Sequence, residues 1–95
     1  MPRVRHIRDA GKRETEHQTF VGRPSLLGNP YHLRRGASLE ERDVVIRKYQ
    51  AWFEARIHEP EFAAAVEAAR GKDLVCFCSP LPCHADVILA FHERT

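Results

Sequence analysis

The segment between Ser38 and Pro60 constrains the fold of this chain more than any other part of the sequence. Ser38 and Glu41 have the spacing of a capping box, which marks the amino terminus of a helix. The apolar side chains that follow fall on one face of that helix: Val45, Ile46, Tyr49, Trp52, Phe53 and Ile57. A stripe this wide has to be covered by other elements, so we predict a long helix that packs one face into the core.

The segments around this helix predict a small α/β sheet. Strands are predicted within residues 3–9, 18–22 and 73–78, and two more helices at residues 60–70 and 83–94. The third strand is a continuous apolar run, as expected of a strand that is covered on both faces. The order strand, strand, helix, helix, strand, helix indicates one α/β domain over residues 1–95, with about three strands and three packed helices.

Length and composition narrow the class of protein. The 95 residues, 43% of them hydrophobic, suffice for one compact core. No run of about 18 apolar residues occurs, and the amino-terminal residues are charged where a signal peptide would be apolar. We therefore expect a cytoplasmic protein with no membrane segment. In such a chain three cysteines, an odd number, predict reduced thiols or metal ligands rather than a disulfide framework.

Charge is distributed unevenly along the chain. Residues 1–35 carry eight Lys and Arg against three Asp and Glu, whereas residues 36–95 carry seven against ten. A basic third of this kind can form a surface for phosphates or nucleic acid, and it can also be no more than a solvated segment.

Three cysteines and one histidine lie within nine consecutive residues, and three interpretations of them stay open. The first is a metal site, because zinc accepts three thiolates and one imidazole. Its ligands would be Cys76, Cys78, Cys83 and His84. Structural zinc sites usually separate two ligand pairs by about a dozen residues, so this spacing is compressed.

The second interpretation is a binding or catalytic pocket. Ligands of open α/β sheets bind beyond the carboxyl ends of strands, where Cys78, Cys83 and His84 are expected. We expect the dipole of the last helix to lower the pKa of Cys83, which makes it a candidate nucleophile, with His84 as acid or base. Asp86 is either a partner of the helix dipole or a second polar group of the site. The third interpretation is structural, because cysteine packs as a small hydrophobe, and it suits Cys76 best.

A loop rich in proline and glycine, residues 21–31, is expected to flank the same pocket because it also follows a strand. Gly22 and Gly28 allow a close backbone approach or a positive φ. Arg23 could clamp a phosphate or carboxylate, and Ser25 and Asn29 offer hydrogen bonds. An ordinary surface turn would explain the same composition. Neither common glycine-rich nucleotide fingerprint is present.

Together, the segments "VGRPSLLGNPY", "VIRKYQAWF" and "GKDLVCFCSPLPCHADVI" resemble the family known as domain of unknown function 4326. The resemblance runs from about Val4 to Phe91. The positions that match the family pattern are Gly22, Arg23, Gly28, Asn29, Pro30, Cys76, Cys78, Pro80, Cys83, His84 and Asp86. The resemblance implies a small α/β domain of bacteria and phages that handles nucleotides or nucleic acid, and it implies no activity.

The sequence thus predicts a domain that binds a nucleotide or a phosphate-bearing small molecule at a Cys/His pocket, with catalysis left open. No cofactor is required by this prediction. One alternative is a zinc-stabilised module that binds nucleic acid or protein, and another is a phage-type inhibitor of a host factor. The oligomeric state is not predicted.

Overall fold

The computed structural model describes residues 2–78 and 81–95, in which three strands and four helices form. In chain order the elements are β1 (Val4–His6), α1 (Ile7–Ala10), β2 (Gln18–Phe20), α2 (Leu39–Arg56), α3 (Pro60–Ala68), β3 (Asp73–Cys76) and α4 (His84–Arg94). The predicted α/β architecture is confirmed. The single-turn helix α1 is an addition, because four residues are too few to show helical periodicity in a sequence. None of the helices in the two described ranges is long and apolar enough to cross a membrane.

The three strands form one parallel sheet in the order β1-β3-β2. The central strand pairs on both sides, with Val4 opposite Leu74 on one edge and Thr19 opposite Leu74 on the other. Leu74 and Val75 are fully buried, as expected of a strand covered on both faces. Because all strands run in the same direction, their carboxyl ends meet at one edge of the sheet.

The long helix α2 begins where the capping pattern predicts. The Ser38 hydroxyl accepts a hydrogen bond from the backbone N–H of Glu41 at 3.1 Å. The Glu41 side chain does not close the box; it pairs with Arg34 instead, at 2.7 Å. Tyr49 and Phe53 are the most deeply buried residues of the predicted apolar face.

An aromatic core joins α2, α3 and α4. The ring of Phe53 packs edge-on against Phe62 of α3 and Phe91 of α4, with centroids 5.5 and 5.4 Å apart. Trp52 packs edge-on against Phe62 at 5.5 Å. These edge-to-face contacts favour the arrangement beyond the burial of apolar area alone. They fix α2 and, with it, one wall of the cavity described below.

Candidate functional site

Two segments that are distant in sequence leave the carboxyl-terminal edge of the sheet side by side. β2 ends at Phe20, and the N–H of Val21 donates to the carbonyl of Val75 at 2.9 Å, so the next loop starts against β3. β3 itself ends at Cys76, and the chain continues from the same edge. The structure therefore brings the proline–glycine loop and the Cys/His segment together, as the parallel topology predicts.

His84 ties the start of α4 to the loop after β2. Its side chain is buried, and its Nε2 lies 2.7 Å from the carbonyl oxygen of Val21. Because a carbonyl only accepts, Nε2 carries the ring proton and Nδ1 holds the lone pair. Burial lowers the pKa of His84 despite the opposing effect of the Val21 carbonyl, so the ring is neutral near pH 7. Its edge packs against the ring of Tyr49, with centroids 5.0 Å apart.

The loop after β2 is held from below by α2. The hydroxyl of Tyr49 donates to the carbonyl of Leu27 at 2.8 Å, and both groups are buried. Within the loop, the N–H of Ser25 donates to Gly22 and the N–H of Gly28 donates to Ser25, each at 2.9 Å. These bonds give the loop a fixed shape, so the arginine that it carries is held in place.

The two loop glycines have packing roles. A Cβ on Gly22 would lie 2.5 Å from the ring of Phe20, and one on Gly28 would lie 3.0 Å from the carbonyl oxygen of Ser25. Neither glycine has a positive φ. Gly22 lines the cavity, whereas Gly28 and Ser25 lie in the same loop outside its lining. The Ser25 hydroxyl is buried and finds no hydrogen-bond partner among the described residues.

A cavity of about 610 Å³ opens between the loop after β2, the segment after β3 and the amino half of α2. Its charged lining residues are Arg23, Arg34, Arg35 and Arg42, and no Asp or Glu lines it within the described part of the chain. Its apolar lining residues are Tyr31, Leu33, Val45, Ile46, Phe77 and Leu81. The predicted site residues that line it are Gly22, Arg23, Asn29, Cys76, Cys78, Cys83 and His84. This volume lies within the range of small-molecule sites, about 300–1,000 Å³.

Three of the four arginines form no ion pair with a carboxylate of residues 2–78 or 81–95. Arg34 pairs with Glu41 at 2.7 Å. Arg23 instead approaches the His32 ring at 2.7 Å, and Arg42 donates to the carbonyl of Pro82 at 3.4 Å. Arg35 has no side-chain hydrogen bond to the described residues. The cavity therefore holds more positive charge than its own walls neutralise.

The three thiols form a cluster at the floor of this cavity. Their Sγ atoms lie within 4.8 Å of one another, and those of Cys76 and Cys83 are 3.2 Å apart. Backbone N–H groups also point at two of the sulfurs. Cys78 donates to Cys76 and Ala85 donates to Cys83, each at 3.4 Å. Cys76 and Cys83 are buried, whereas Cys78 is half-buried.

The thiol environment differs from the predicted one. Hydrogen bonding with Cys76 and Cys78, together with burial, raises the pKa of Cys83, so the expected lowering by the helix dipole does not dominate. The pKa of Cys78 is lowered instead, because the thiols of Cys76 and Cys83 donate to it and Arg42 lies beside it. Cys78 is also the least buried of the three thiols, so its sulfur is the one that a molecule in the cavity reaches most easily.

The side chains of Asp86 and Asn29 both accept hydrogen bonds from backbone N–H groups. The carboxylate of Asp86 accepts the N–H of Cys83 at 2.9 Å and closes a capping box at the start of α4. Asp86 does not line the cavity, and in this structure its carboxylate serves as a helix cap. Asn29 does line the cavity, and its Oδ1 accepts the N–H of Tyr31 at 2.9 Å. Pro80, which matches the family pattern, lies outside the described residues, as does Ser79.

A metal ion would find three of the four predicted ligands together. The cluster of potential ligand atoms contains Cys76, Cys78 and Cys83 and does not include His84. The Nε2 atom of His84 donates to Val21, which leaves that nitrogen unable to coordinate. The structure thus brings together three of the four predicted metal ligands, while the imidazole of His84 faces the loop after β2.

Sequence reasoning missed several lining residues that carry chemistry: Tyr31, Arg34, Arg35, Arg42 and Phe77. Arg34 and Arg35 belong to the basic third of the chain, so the charge asymmetry was the available signal for them. Arg42 lies on α2 away from the apolar stripe, where an arginine normally indicates a solvated face.

Comparison with protein families places the chain in one of them. It matches the family described as Domain of unknown function (DUF4326) over residues 4–94. The chain therefore belongs to this family, as its motifs indicate. No curated protein and no solved structure matches it.

Proposed function

We propose that this protein binds a nucleotide, or another small phosphate-bearing molecule, in the cavity at the carboxyl edge of the sheet. The observation that carries the proposal is the set of three arginines, Arg23, Arg35 and Arg42, that line one cavity without a carboxylate partner among the described residues. Guanidinium groups match the geometry of phosphate oxygens and form strong charge-assisted hydrogen bonds with them. Positive charges that line one cavity repel one another, and a bound anion would relieve that repulsion.

Aromatic side chains at the same cavity favour a nucleotide over a bare phosphate. Phe77 is 56% exposed and Tyr31 is 36% exposed, and both line the cavity. Phe77 is supported from behind by Phe20, at 5.7 Å between ring centroids. An exposed ring of this kind offers a surface on which a base can stack, an interaction worth about 1–3 kcal/mol per base. The arginines would hold the phosphate and the rings the base.

The thiols suit a reducing compartment. All three cysteines are thiols, although two of their sulfur atoms lie only 3.2 Å apart. An odd number of cysteines is typical of chains whose thiols stay reduced or bind metal, as in the cytoplasm. We therefore keep a cytoplasmic location as part of the proposal.

The proposal is tested by calorimetric titration with nucleoside monophosphates and with the corresponding nucleosides. We expect the phosphorylated compounds to bind and the nucleosides to bind at least about tenfold more weakly, since a charged hydrogen bond contributes about 1.5–3 kcal/mol. Arg35→Ala should weaken phosphate-dependent binding by a similar factor. Arg47→Ala is the matched control, because Arg47 is exposed on α2, pairs with Asp43 and does not line the cavity.

Two results would contradict the proposal. A folded protein that binds no member of a nucleotide panel at millimolar concentration would exclude it. Binding that Arg35→Ala and Arg47→Ala weaken equally would show that general positive charge, and not the cavity, attracts the ligand.

A zinc-stabilised module that binds nucleic acid or protein is the second candidate, and the convergence of three sulfurs favours it. The two candidates differ in the effect that a chelator should have on the folded structure. A module that needs zinc to fold loses its structure with a chelator. A nucleotide-binding domain that does not depend on zinc keeps its structure, because its aromatic rings pack against one another without a metal. Circular dichroism before and after chelation separates the two.

A further inference from the structure

We propose that Cys76, Cys78 and Cys83 form a three-thiolate site for Zn²⁺, with the fourth coordination position open to the arginine-lined cavity. The site itself depends only on the sulfur geometry. The statement that a cavity ligand can reach the metal rests on the proposed function. The open position separates this assignment from a closed, purely structural zinc site.

The spacing of the sulfurs is close to what zinc requires. Zinc–sulfur bonds of about 2.3 Å in a tetrahedral site place the sulfurs about 3.8 Å apart. The three Sγ atoms lie within 4.8 Å of one another, and the closest pair, Cys76 and Cys83, is at 3.2 Å. Changes of up to about 1 Å in the sulfur–sulfur distances, reached by side-chain rotation, would convert this cluster into three corners of a tetrahedron.

The cluster also has the outer partners that thiolate ligands need. The backbone N–H of Cys78 points at the sulfur of Cys76, and the N–H of Ala85 points at the sulfur of Cys83. Donors of this kind orient a ligand and spread its negative charge. Cys83 is also the residue that caps the amino terminus of α4, where the helix dipole favours negative charge.

The described residues supply three ligands and no fourth. The nearest candidate, His84, directs its Nε2 to the carbonyl of Val21 and is not part of the cluster. All three cysteines line the cavity. A metal on the three sulfurs would therefore present its remaining position to the cavity, where an exchangeable water or a donor atom of a bound ligand can occupy it.

Charge balance is consistent with this arrangement. Zn²⁺ and three thiolates together carry one negative charge, and binding releases the protons of those thiols that were still protonated. The cavity supplies arginines and, among described residues, no carboxylate that would add to that negative charge. Arg42, which lies beside Cys78, is placed to offset it.

The test is titration of the full, reduced, chelator-treated chain with Co²⁺ as a spectroscopic probe, followed by displacement with Zn²⁺. We expect one equivalent of Co²⁺ to give sulfur-to-metal charge-transfer and four-coordinate visible bands. Loss of an outer partner weakens metal binding by about 10- to 100-fold. Cys78→Ser removes a ligand itself and should weaken Co²⁺ binding by more than that. His84→Gln keeps an N–H for the Val21 carbonyl and should bind Co²⁺ as the wild type does.

Alkylation keeps the test independent of whether a variant folds. In the wild-type protein, one equivalent of Zn²⁺ should protect the half-buried thiol of Cys78 from alkylation and slow the alkylation of Cys76 and Cys83 during local opening, as followed by mass spectrometry. Folded wild-type protein that binds no Co²⁺ and whose thiols Zn²⁺ does not protect would overturn the proposal. Loss of Co²⁺ binding in folded His84→Gln would overturn the three-ligand assignment.

Failure here is distinct from failure of the proposed function. Nucleotide titration of chelator-treated protein reports on the arginines without the metal, and Co²⁺ titration without nucleotide reports on the sulfurs alone. Addition of a nucleoside monophosphate to the Co²⁺-loaded protein should shift the visible bands if the open position faces the ligand. Unchanged bands during nucleotide binding would overturn the placement of that position.

Discussion

The aromatic core and the arginine-lined cavity share one helix, yet they differ in the side chains that this helix contributes to them. The carboxyl half of α2 gives Tyr49 and Phe53 to the core, where each ring meets another ring. The amino half gives Arg42, Val45 and Ile46 to the cavity. The rings of the core pack against one another, whereas the cavity holds more arginines than the described residues provide carboxylates to pair with them. Stability explains the first region, and the proposed ligand binding would explain the second.

We expect a substitution in the aromatic core to lower the stability of the protein most. Phe62→Ala removes a fully buried ring that packs against both Trp52 and Phe53, and we expect a loss of about 3–5 kcal/mol in the free energy of unfolding. Urea denaturation measures this value. A loss below about 1 kcal/mol would mean that the aromatic rings are not closely packed.

Tyr49→Phe tests the group that links the two regions. The change keeps the ring but leaves the buried carbonyl of Leu27 without its donor, which should cost about 1–3 kcal/mol. Since this bond holds the loop that carries Arg23, ligand affinity should fall as well. Tyr31→Phe is the matched control, because the Tyr31 side chain is exposed. Equal losses of stability in both variants would show that the hydroxyl of Tyr49 does not link the core to the loop after β2.

Asp86→Ala should have a smaller effect, confined to stability. It removes the carboxylate that accepts the N–H of Cys83, and loss of such a cap costs about 0.5–2 kcal/mol. Thermal denaturation gives the stability change, and calorimetry gives the nucleotide affinity. If the loss in free energy of nucleotide binding exceeded the loss in free energy of unfolding, Asp86 would have the ligand-binding role that the sequence predicts.

Arg35→Ala should change stability least and binding most. The side chain has no partner among the described residues, and exposed substitutions of this kind stay within about 0.5 kcal/mol. The urea midpoint should therefore be that of the wild type while nucleotide affinity falls. A gain in stability without any ligand effect would show that the arginine only repels its neighbours.

What the sequence predicts well is what periodicity and topology determine. The helix α2 follows from its apolar stripe and cap, and β3 follows from an apolar run that is too short for a helix. The meeting of the loop after β2 with the segment after β3 follows from parallel strands. The short helix α1 leaves too little pattern to be predicted.

What the sequence could not predict depends on side-chain direction. Cys83 and His84 are neighbours in the chain, yet one joins the sulfur cluster and the other bonds to Val21. Nothing in their order fixes this, because it depends on where α4 begins and how it packs. Arg42 was missed for a similar reason: an arginine off the apolar stripe indicates solvent until a cavity is seen beside it.

The most direct test of the cavity as a nucleotide site is a map of where the ligand binds. In an amide chemical-shift titration with a nucleoside monophosphate, we predict the largest shifts at Gly22, Arg35, Phe77 and Cys83, and small shifts in α3. Shifts confined to the basic residues before β2, or no shifts at millimolar ligand, would contradict the account.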